Sequence, residues 1–418
     1  MRVLRNIGLV FLVIIVAIAA TVTIWGAITQ LRIDAQQRSI ESFYVPPATI
    51  TGSPGDLIRT EEMTDVEVEG GSVHRILYVS ERPSGDLAVS GGMVFIPDAP
   101  APAEGRKVVG WAHGTLGMGP QCAPSRSATP LNDMTGWIEQ MMGLGWVVAA
   151  TDYTGLGTPG PEEYLVAQAE VSDVVNSIRA AKQLPGTQMS NDYVVWGHSQ
   201  GGHSSLWSGH LAADYAPELK LLGVAAAAPA GELGLILDAQ WTGPIAWAIG
   251  PEAVIGWRAL DPDLPLEPLL TARAESIYPD IAEECIAAAA LDALARNSLG
   301  QAFFEFSPLD EPAWAAVIAQ QTPPAMPADM PVFLAQGTAD NVVLAWPNAV
   351  LLNNWCAAGS TVSMLWMGEV THEKAAITAG PEVVSWIADR FEGKDAPRTC
   401  DSPIPVSIPP AGVAAEVN

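Results

Sequence analysis

The sequence predicts an α/β fold: a mostly parallel central sheet with helices on both faces, interrupted by a helical cap. Three observations carry this prediction. Short continuous apolar runs, of the kind buried inside parallel sheets, alternate with amphipathic helical segments. Gly197-His198-Ser199-Gln200-Gly201-Gly202 stands directly between one such run, residues 193–196, and a helical segment. From Gly231 to Ala328 the strand signals give way to Ala-, Leu- and Pro-rich sequence carrying Trp241, Trp247 and Trp257.

Taken from the N-terminus, Arg2 and Arg5 precede an uncharged run, residues 7–28. As a helix that run would cover about 30 Å, the thickness of a bilayer core. It is expected to act as a signal anchor in the membrane, or as a signal peptide cleaved after Ala17-Ile18-Ala19. Either way the positive flank stays inside, so the rest of the chain is expected outside the cytoplasm. Residues 1–30 are therefore set aside as an export segment. Residues 31–60, with Pro46-Pro47 and Gly52-Ser53-Pro54-Gly55, are expected to be a linker.

The remaining elements belong to one domain, residues 61–405. Strand-like runs lie at 75–80, 87–97 and 107–112, and a helical pattern spans 131–144. A buried run follows at 146–151, then an amphipathic helix over 162–184, stopped by Pro185-Gly186. Runs at 193–196 and 221–228 are separated by a helix opening near Gly201. After the cap, at about 231–328, come runs at 332–336 and 361–366 and a helix over 382–391. Such alternation implies right-handed crossovers in a doubly wound sheet. Residues 406–418 are expected to be an irregular tail, and no internal repeat is present.

Composition bounds the function. Of 418 residues 49% are hydrophobic and 16% charged, which suits a large core and excludes a disordered chain. Twenty Lys+Arg against 46 Asp+Glu give a formal charge of −26. No nucleic-acid partner is expected, because phosphates need a basic face. Anionic headgroups would likewise repel the folded part, so the acidity reads as solubility. The cysteines Cys122, Cys285, Cys356 and Cys400 fit an oxidising compartment. None forms a CxxC pair, so no metal site is expected, and the three possible disulfide pairings stay open.

The chemistry centres on Ser199. Gly-x-Ser-x-Gly between strand and helix is the nucleophile elbow, a tight strained turn that lifts the hydroxyl above the sheet. The same turn aims the Gln200 backbone N–H at the place where an oxyanion would form. A serine hydroxyl needs a base, and the order for this elbow is nucleophile, acid, histidine. His203 and His210 lie on the helix leaving the elbow, whereas His372 sits in a loop after a strand, near the C-terminus. His372 is therefore the expected base, and His74 and His198 are read as structural. Asp340, in the strand-end turn Gly337-Thr338-Ala339-Asp340, is the expected acid, with Asp329, Glu369 and Glu373 as alternatives. The loop His113-Gly114-Thr115-Leu116-Gly117 follows an early strand, and its Thr115 backbone N–H is the expected second oxyanion donor. Gly114 is the alternative, and His113 is read as bracing the loop. The run 152–157 could line an acyl pocket or stabilise its own turn.

These residues resemble the secretory lipases of the α/β-hydrolase superfamily, the group that includes yeast lipase A and actinobacterial members. The resemblance spans about residues 50–405. It rests on His113-Gly114-Thr115, Cys122-Ala123-Pro124-Ser125, residues 152–157, Trp196 through Gly202, Tyr215-Ala216-Pro217-Glu218-Leu219 and Gly337-Thr338-Ala339-Asp340. It implies the pairs Cys122–Cys285, tying cap to oxyanion loop, and Cys356–Cys400, tying down the tail. It also implies hydrolysis of lipid or other carboxylic esters, with no metal or organic cofactor and no protein partner. An acyltransferase using the same acyl-enzyme is the alternative activity. A non-catalytic binding protein on this fold is the alternative class, though binding alone would not require Ser199, Asp340 and His372 together.

Overall fold

The computed structural model describes Gly26 and residues 31–409. The described residues fall into two compact units that divide between Val45 and Pro46. In the first, α1 covers residues 31–44. It carries no glycine or proline and stops ahead of Pro46-Pro47, where a residue preceding proline is biased away from helix. Only 45–56 of the segment expected to be a linker is thus irregular, because β1 already begins at Leu57. The apolar run 7–28, apart from Gly26, lies outside the described residues, as does the tail beyond 409. Among the described residues no helix is long and apolar enough to cross a membrane.

The second unit is built on a nine-stranded sheet in the order β1-β2-β3-β5-β4-β6-β7-β8-β9. Its strands are β1 (Leu57–Glu62), β2 (Gly71–Glu81), β3 (Leu87–Pro97), β4 (Arg106–Ala112), β5 (Val147–Thr154), β6 (Met189–His198), β7 (Lys220–Ala227), β8 (Val332–Gly337) and β9 (Val362–Met367). β1, β2 and β3 pair antiparallel, as do β3 and β5; from β5 to β9 all pairings are parallel. The central stretches of the parallel strands are apolar because both their faces are covered. One face packs against α3 (Ala167–Ala181), α4 (Gln200–Tyr215) and α11 (Ala345–Ala358), through Val174, Ile178, Leu206 and Leu351. The other packs against α2 (Ile138–Gly143) and α12 (Ala375–Phe391), through Ile138, Met141, Val383 and Ile387. Trp111, Trp137 and Trp196 stack on this second face, with ring centroids 4.8 Å and 5.6 Å from Trp111.

Between β7 and β8 lie α5 (Leu233–Gln240), α6 (Pro244–Ala248), α7 (Gly250–Leu260), α8 (Ala272–Ala282), α9 (Ile286–Ser298) and α10 (Pro312–Gln321). They share a separate apolar cluster built on Trp247, Trp257, Phe303, Phe304 and Trp314. Tyr164, Leu165 and Val166 from the sheet domain enter that same cluster.

The sequence reading misses β1 and α11 entirely, starts α12 at 382 instead of Ala375, and misplaces the starts of α2 and α3. β1 reads as linker because LIRTEE is a half-exposed edge strand with two apolar residues. The pattern over 131–144 becomes helix only at α2, because Gly136 turns to φ 87° just before it. The helix expected from 162 begins at Ala167. Pro161-Glu162-Glu163 imitates a helix start, with proline at the first position and acids in the first turn, but this stretch is a loop.

Cys122 pairs with Cys285, and Cys356 with Cys400. The first bond is reinforced by backbone: Met118 N–H donates to the Ala282 carbonyl at 2.7 Å, and Ile286 N–H to Leu116 at 2.9 Å. Since 163 residues separate its cysteines, opening it enlarges the unfolded ensemble. The Cys122→Ser/Cys285→Ser variant should lose about 2–4 kcal/mol in denaturant unfolding while keeping its far-UV circular dichroism.

Candidate active site

The six parallel strands end on one edge of the sheet, and Ser199 sits there between β6 and α4. It holds φ 56° and ψ −114°, a conformation that costs a residue with a side chain about 1–3 kcal/mol. Close backbone approach on either side maintains it. A Cβ on Gly197 would overlap the Gly201 carbonyl, and one on Gly201 would overlap the Ala112 carbonyl. A Cβ on Gly202 would come within 2.8 Å of Pro229 Cα. The glycines of the elbow are thus required by main-chain contact, while the serine itself bears the strain.

The loops after β8 and β9 interlock and deliver two partners to this serine. Thr338 N–H donates to the Met367 carbonyl at 2.9 Å and Ala339 N–H to Val370 at 3.2 Å. His372 Nε2 lies 2.9 Å from Ser199 Oγ, and His372 Nδ1 lies 2.8 Å from Asp340 Oδ2. Asp340 is fixed in turn. Its Oδ1 accepts the Val342 and Val343 N–H groups, both at 2.9 Å, and its Oδ2 also accepts the Gln336 amide at 3.1 Å. A carboxylate accepts only, so the proton of a neutral His372 belongs on Nδ1 and Nε2 is free to accept from Ser199. All three residues are buried.

The structure therefore brings Ser199, His372 and Asp340 into one hydrogen-bonded line. Asp329, Glu369 and Glu373 are exposed instead. His203 is held by Glu170 at 2.6 Å and by the Gln321 carbonyl at 2.7 Å; His210 meets the Pro324 carbonyl at 3.1 Å. His74 pairs with Ser72 at 3.2 Å on β2. His113 meets the Gly114 and Asp152 carbonyls at 2.7 Å and 3.3 Å. Asp152 accepts both the backbone N–H and the hydroxyl of Ser125, which makes it a brace of that turn.

Gln200 opens α4, so its N–H has no intrahelical acceptor and points along the positive end of the helix dipole. Gly114 runs beside the serine: a Cβ there would sit 3.3 Å from Ser199 Cβ. Thr115 follows it, its hydroxyl 2.7 Å from the Tyr164 hydroxyl. The Gln200 N–H thus adjoins Ser199, and Gly114, which precedes Thr115, lies against it from the other loop.

Three features escaped the sequence reading. His198 is buried against the site: its Nε2 is 3.0 Å from the His372 carbonyl, and the two rings stack at 4.8 Å. Its Nδ1 faces Asp133 at 3.7 Å. Second, Ser199 opens into a narrow apolar cavity of about 80 Å³. Its wall includes Tyr164 and Leu165 from the sheet domain and Leu237, Trp241, Val254 and Trp257 from the cap. Third, a group of carboxyls lies buried beside it. Burial pushes Glu162 up to about 8, with the Glu170 and Asp173 charges adding to the rise. Burial and then Glu162 push Glu252 well above the usual carboxylate range. No local pattern announces these groups: Glu162 faces Glu170 and Asp173 only because its loop folds back onto α3, and Glu252 reaches it from α7.

A sequence model described as secretory lipase matches residues 127–398. Lipase 5 of Candida albicans is 26% identical over 399 residues, which cover 87% of this chain and 82% of that one. A Mycobacterium tuberculosis protein named "Probable inactive lipase MT1628" is 24% identical over 388 residues, covering 85% and 83%. Among solved structures, Candida antarctica lipase A in its closed state superposes with TM-score 0.68 at 19% identity, covering 88% of this chain and 90% of that one. The rice cell wall degrading esterase LipA of Xanthomonas oryzae gives 0.68 at 17% identity, covering 82% and 100%.

The elbow's packing yields a direct contrast. Gly201→Ala places a methyl against backbone oxygen that no rotamer can relieve, and should lower unfolding stability by at least about 3 kcal/mol. Gly143→Ala, where a Cβ meets open space at the end of α2, should be neutral or stabilise by up to about 1 kcal/mol. Urea unfolding of both variants measures the difference.

Proposed function

This chain belongs to the secretory lipase family and is a carboxylic ester hydrolase, and from that premise we propose that it cleaves lipid esters outside the cytoplasm through an acyl-enzyme on Ser199. The observation that carries the proposal is the unbroken line Asp340–His372–Ser199 at the mouth of an apolar cavity. Ser199 attacks the ester carbonyl while His372 Nε2 takes its proton and Asp340 stabilises the imidazolium that results. The oxyanion is held by the N–H groups of Gln200 and Thr115, each worth on the order of 10²–10³ in turnover. His372 then protonates the leaving alcohol, and a water molecule, deprotonated by the same imidazole, releases the acid.

The cavity supports the lipid half of the proposal. Its walls are almost wholly apolar, as in small-molecule sites that bind through apolar walls with a few placed polar groups. An acyl chain would desolvate there, each buried methylene contributing about 0.8 kcal/mol. The extracytoplasmic half is supported by the paired cysteines and by the apolar run behind Arg2 and Arg5. That run would release or anchor the enzyme according to whether it is cleaved.

Rates on p-nitrophenyl esters from acetate to palmitate test both halves. Ser199→Ala should lower kcat by at least about 10⁴-fold on every ester. The wild type should show its highest kcat/KM on chains longer than acetate. Highest activity on acetate would overturn the lipid assignment, and turnover by Ser199→Ala would overturn the acyl-enzyme.

A further inference from the structure

The loop between β5 and α3 touches both residues that carry the proposed oxyanion donors. The Tyr164 hydroxyl bonds the Thr115 hydroxyl at 2.7 Å, and the Gln200 side-chain amide donates to Glu162 Oε1 over a longer 3.4 Å. Glu162, Tyr164 and Gln200 are all buried. The second oxygen of Glu162, Oε2, is buried without a hydrogen-bond partner.

The loop itself is gripped from two sides. On the sheet side, a Cβ on Gly155 would overlap the Glu162 nitrogen, and Leu165, at φ 52°, donates its N–H to Glu170 Oε1 at 3.2 Å. From the cap, a Cβ on Gly256 would lie 2.6 Å from the Tyr164 backbone, and the Trp257 indole N–H donates to the Leu165 carbonyl at 3.2 Å. Nothing in this arrangement lets residues 162–164 move without disturbing α7 or the oxyanion loop.

We propose that residues 162–164 form a positioning strap for the oxyanion hole, in which Tyr164 sets Thr115 and the Glu162 carboxyl sets Gln200. The proposal rests on the acyl-enzyme at Ser199. Preorganised donors matter because a transition-state charge gains most from dipoles that need not reorient. A displacement of about 1 Å can cost on the order of 10²-fold.

The charge of the strap follows from its surroundings. Glu162 faces Gln200 of α4, Glu170 and Asp173 of α3, Tyr153 of β5, Tyr164 of its own loop and Glu252 of α7. Glu170 is itself occupied by His203. Burial first, then these acids, keep the Glu162 proton in place up to about pH 8. Below that pH the Glu162 carboxyl is neutral, while its neighbour Glu163, raised by burial to about 7, is paired with Arg82 at 3.0 Å. Above about pH 8 a negative charge appears on Glu162 beside the place where the oxyanion forms, and opposes it.

Steady-state kinetics on a soluble p-nitrophenyl ester from pH 5 to 10 test the proposal, with thermal unfolding recorded for each variant and Ser199→Ala as the control. Tyr164→Phe should lower kcat about tenfold with KM within about twofold. Glu162→Ala should do the same. Glu162→Gln keeps the acceptor and cannot ionise, so it should keep most of kcat at pH 6.5 and lose the fall above pH 8 seen in the wild type. Its acid limb should be unchanged. Folded Tyr164→Phe and Glu162→Ala with wild-type kcat would overturn the strap, as would an unchanged alkaline limb in Glu162→Gln. If Glu162→Ala does not fold, Tyr164→Phe and Glu162→Gln decide. Turnover by Ser199→Ala would instead overturn the acyl-enzyme beneath it.

Discussion

The main chain of Gly201 lies so close to the carbonyls of Ala112 and His113 that only a hydrogen fits between them. Everything at the site depends on this contact. It presses the start of α4 against the end of β4, which forces Ser199 to positive φ and turns its hydroxyl out of the sheet. It also sets the Gln200 N–H beside the loop that carries Thr115. The strain at Ser199 persists because strands β4, β6 and β7 fix both ends of the turn: Ser199 N–H is held by Ala227 at 2.9 Å and its carbonyl by His203 and Ala230.

A second constraint is the handling of polar groups that the sheet edge buries. Asp340 has both oxygens occupied by N–H donors, so its position is over-determined and the imidazole it holds cannot rotate freely. Glu162 and Glu252 have fewer partners, and burial answers by favouring their neutral forms. The same edge thus carries two kinds of carboxyl: one placed by donors against His372, the other favoured in its neutral form beside Gln200. Helices α8 and α9 are tied to the loop after β4 by a disulfide and by backbone hydrogen bonds.

The sequence was legible where structure follows local pattern. Strands β4 to β9 announce themselves by the continuous apolar stretch at their centre, where both faces are covered, while polar ends such as residues 190–192 of β6 do not. Positions just after these stretches were readable for the same reason, so Ser199, Asp340 and His372 could be placed on one edge before any contact was known. β1 was not readable, since an edge strand such as LIRTEE needs neither apolar continuity nor clean alternation. Glu162 and Glu163 were misread because acids after a proline look like a helix's first turn; the glycine at 155 and the cap residue Gly256 compete for that space and win. Tyr164 and His198 meet their partners 49 and 174 residues away, a distance over which composition says nothing. The cavity wall could not be assigned residue by residue, because its sheet-domain and cap residues meet only in the folded chain.

The central claim is that Ser199 is the residue acylated during turnover. Intact-mass and peptide mass spectrometry after a fluorophosphonate probe tests it most directly. The account predicts a single stoichiometric adduct on Ser199, absent from Ser199→Ala and strongly slowed in His372→Ala, with both variants folded. A folded wild-type protein that takes no label, or that takes it on another residue, would contradict the account.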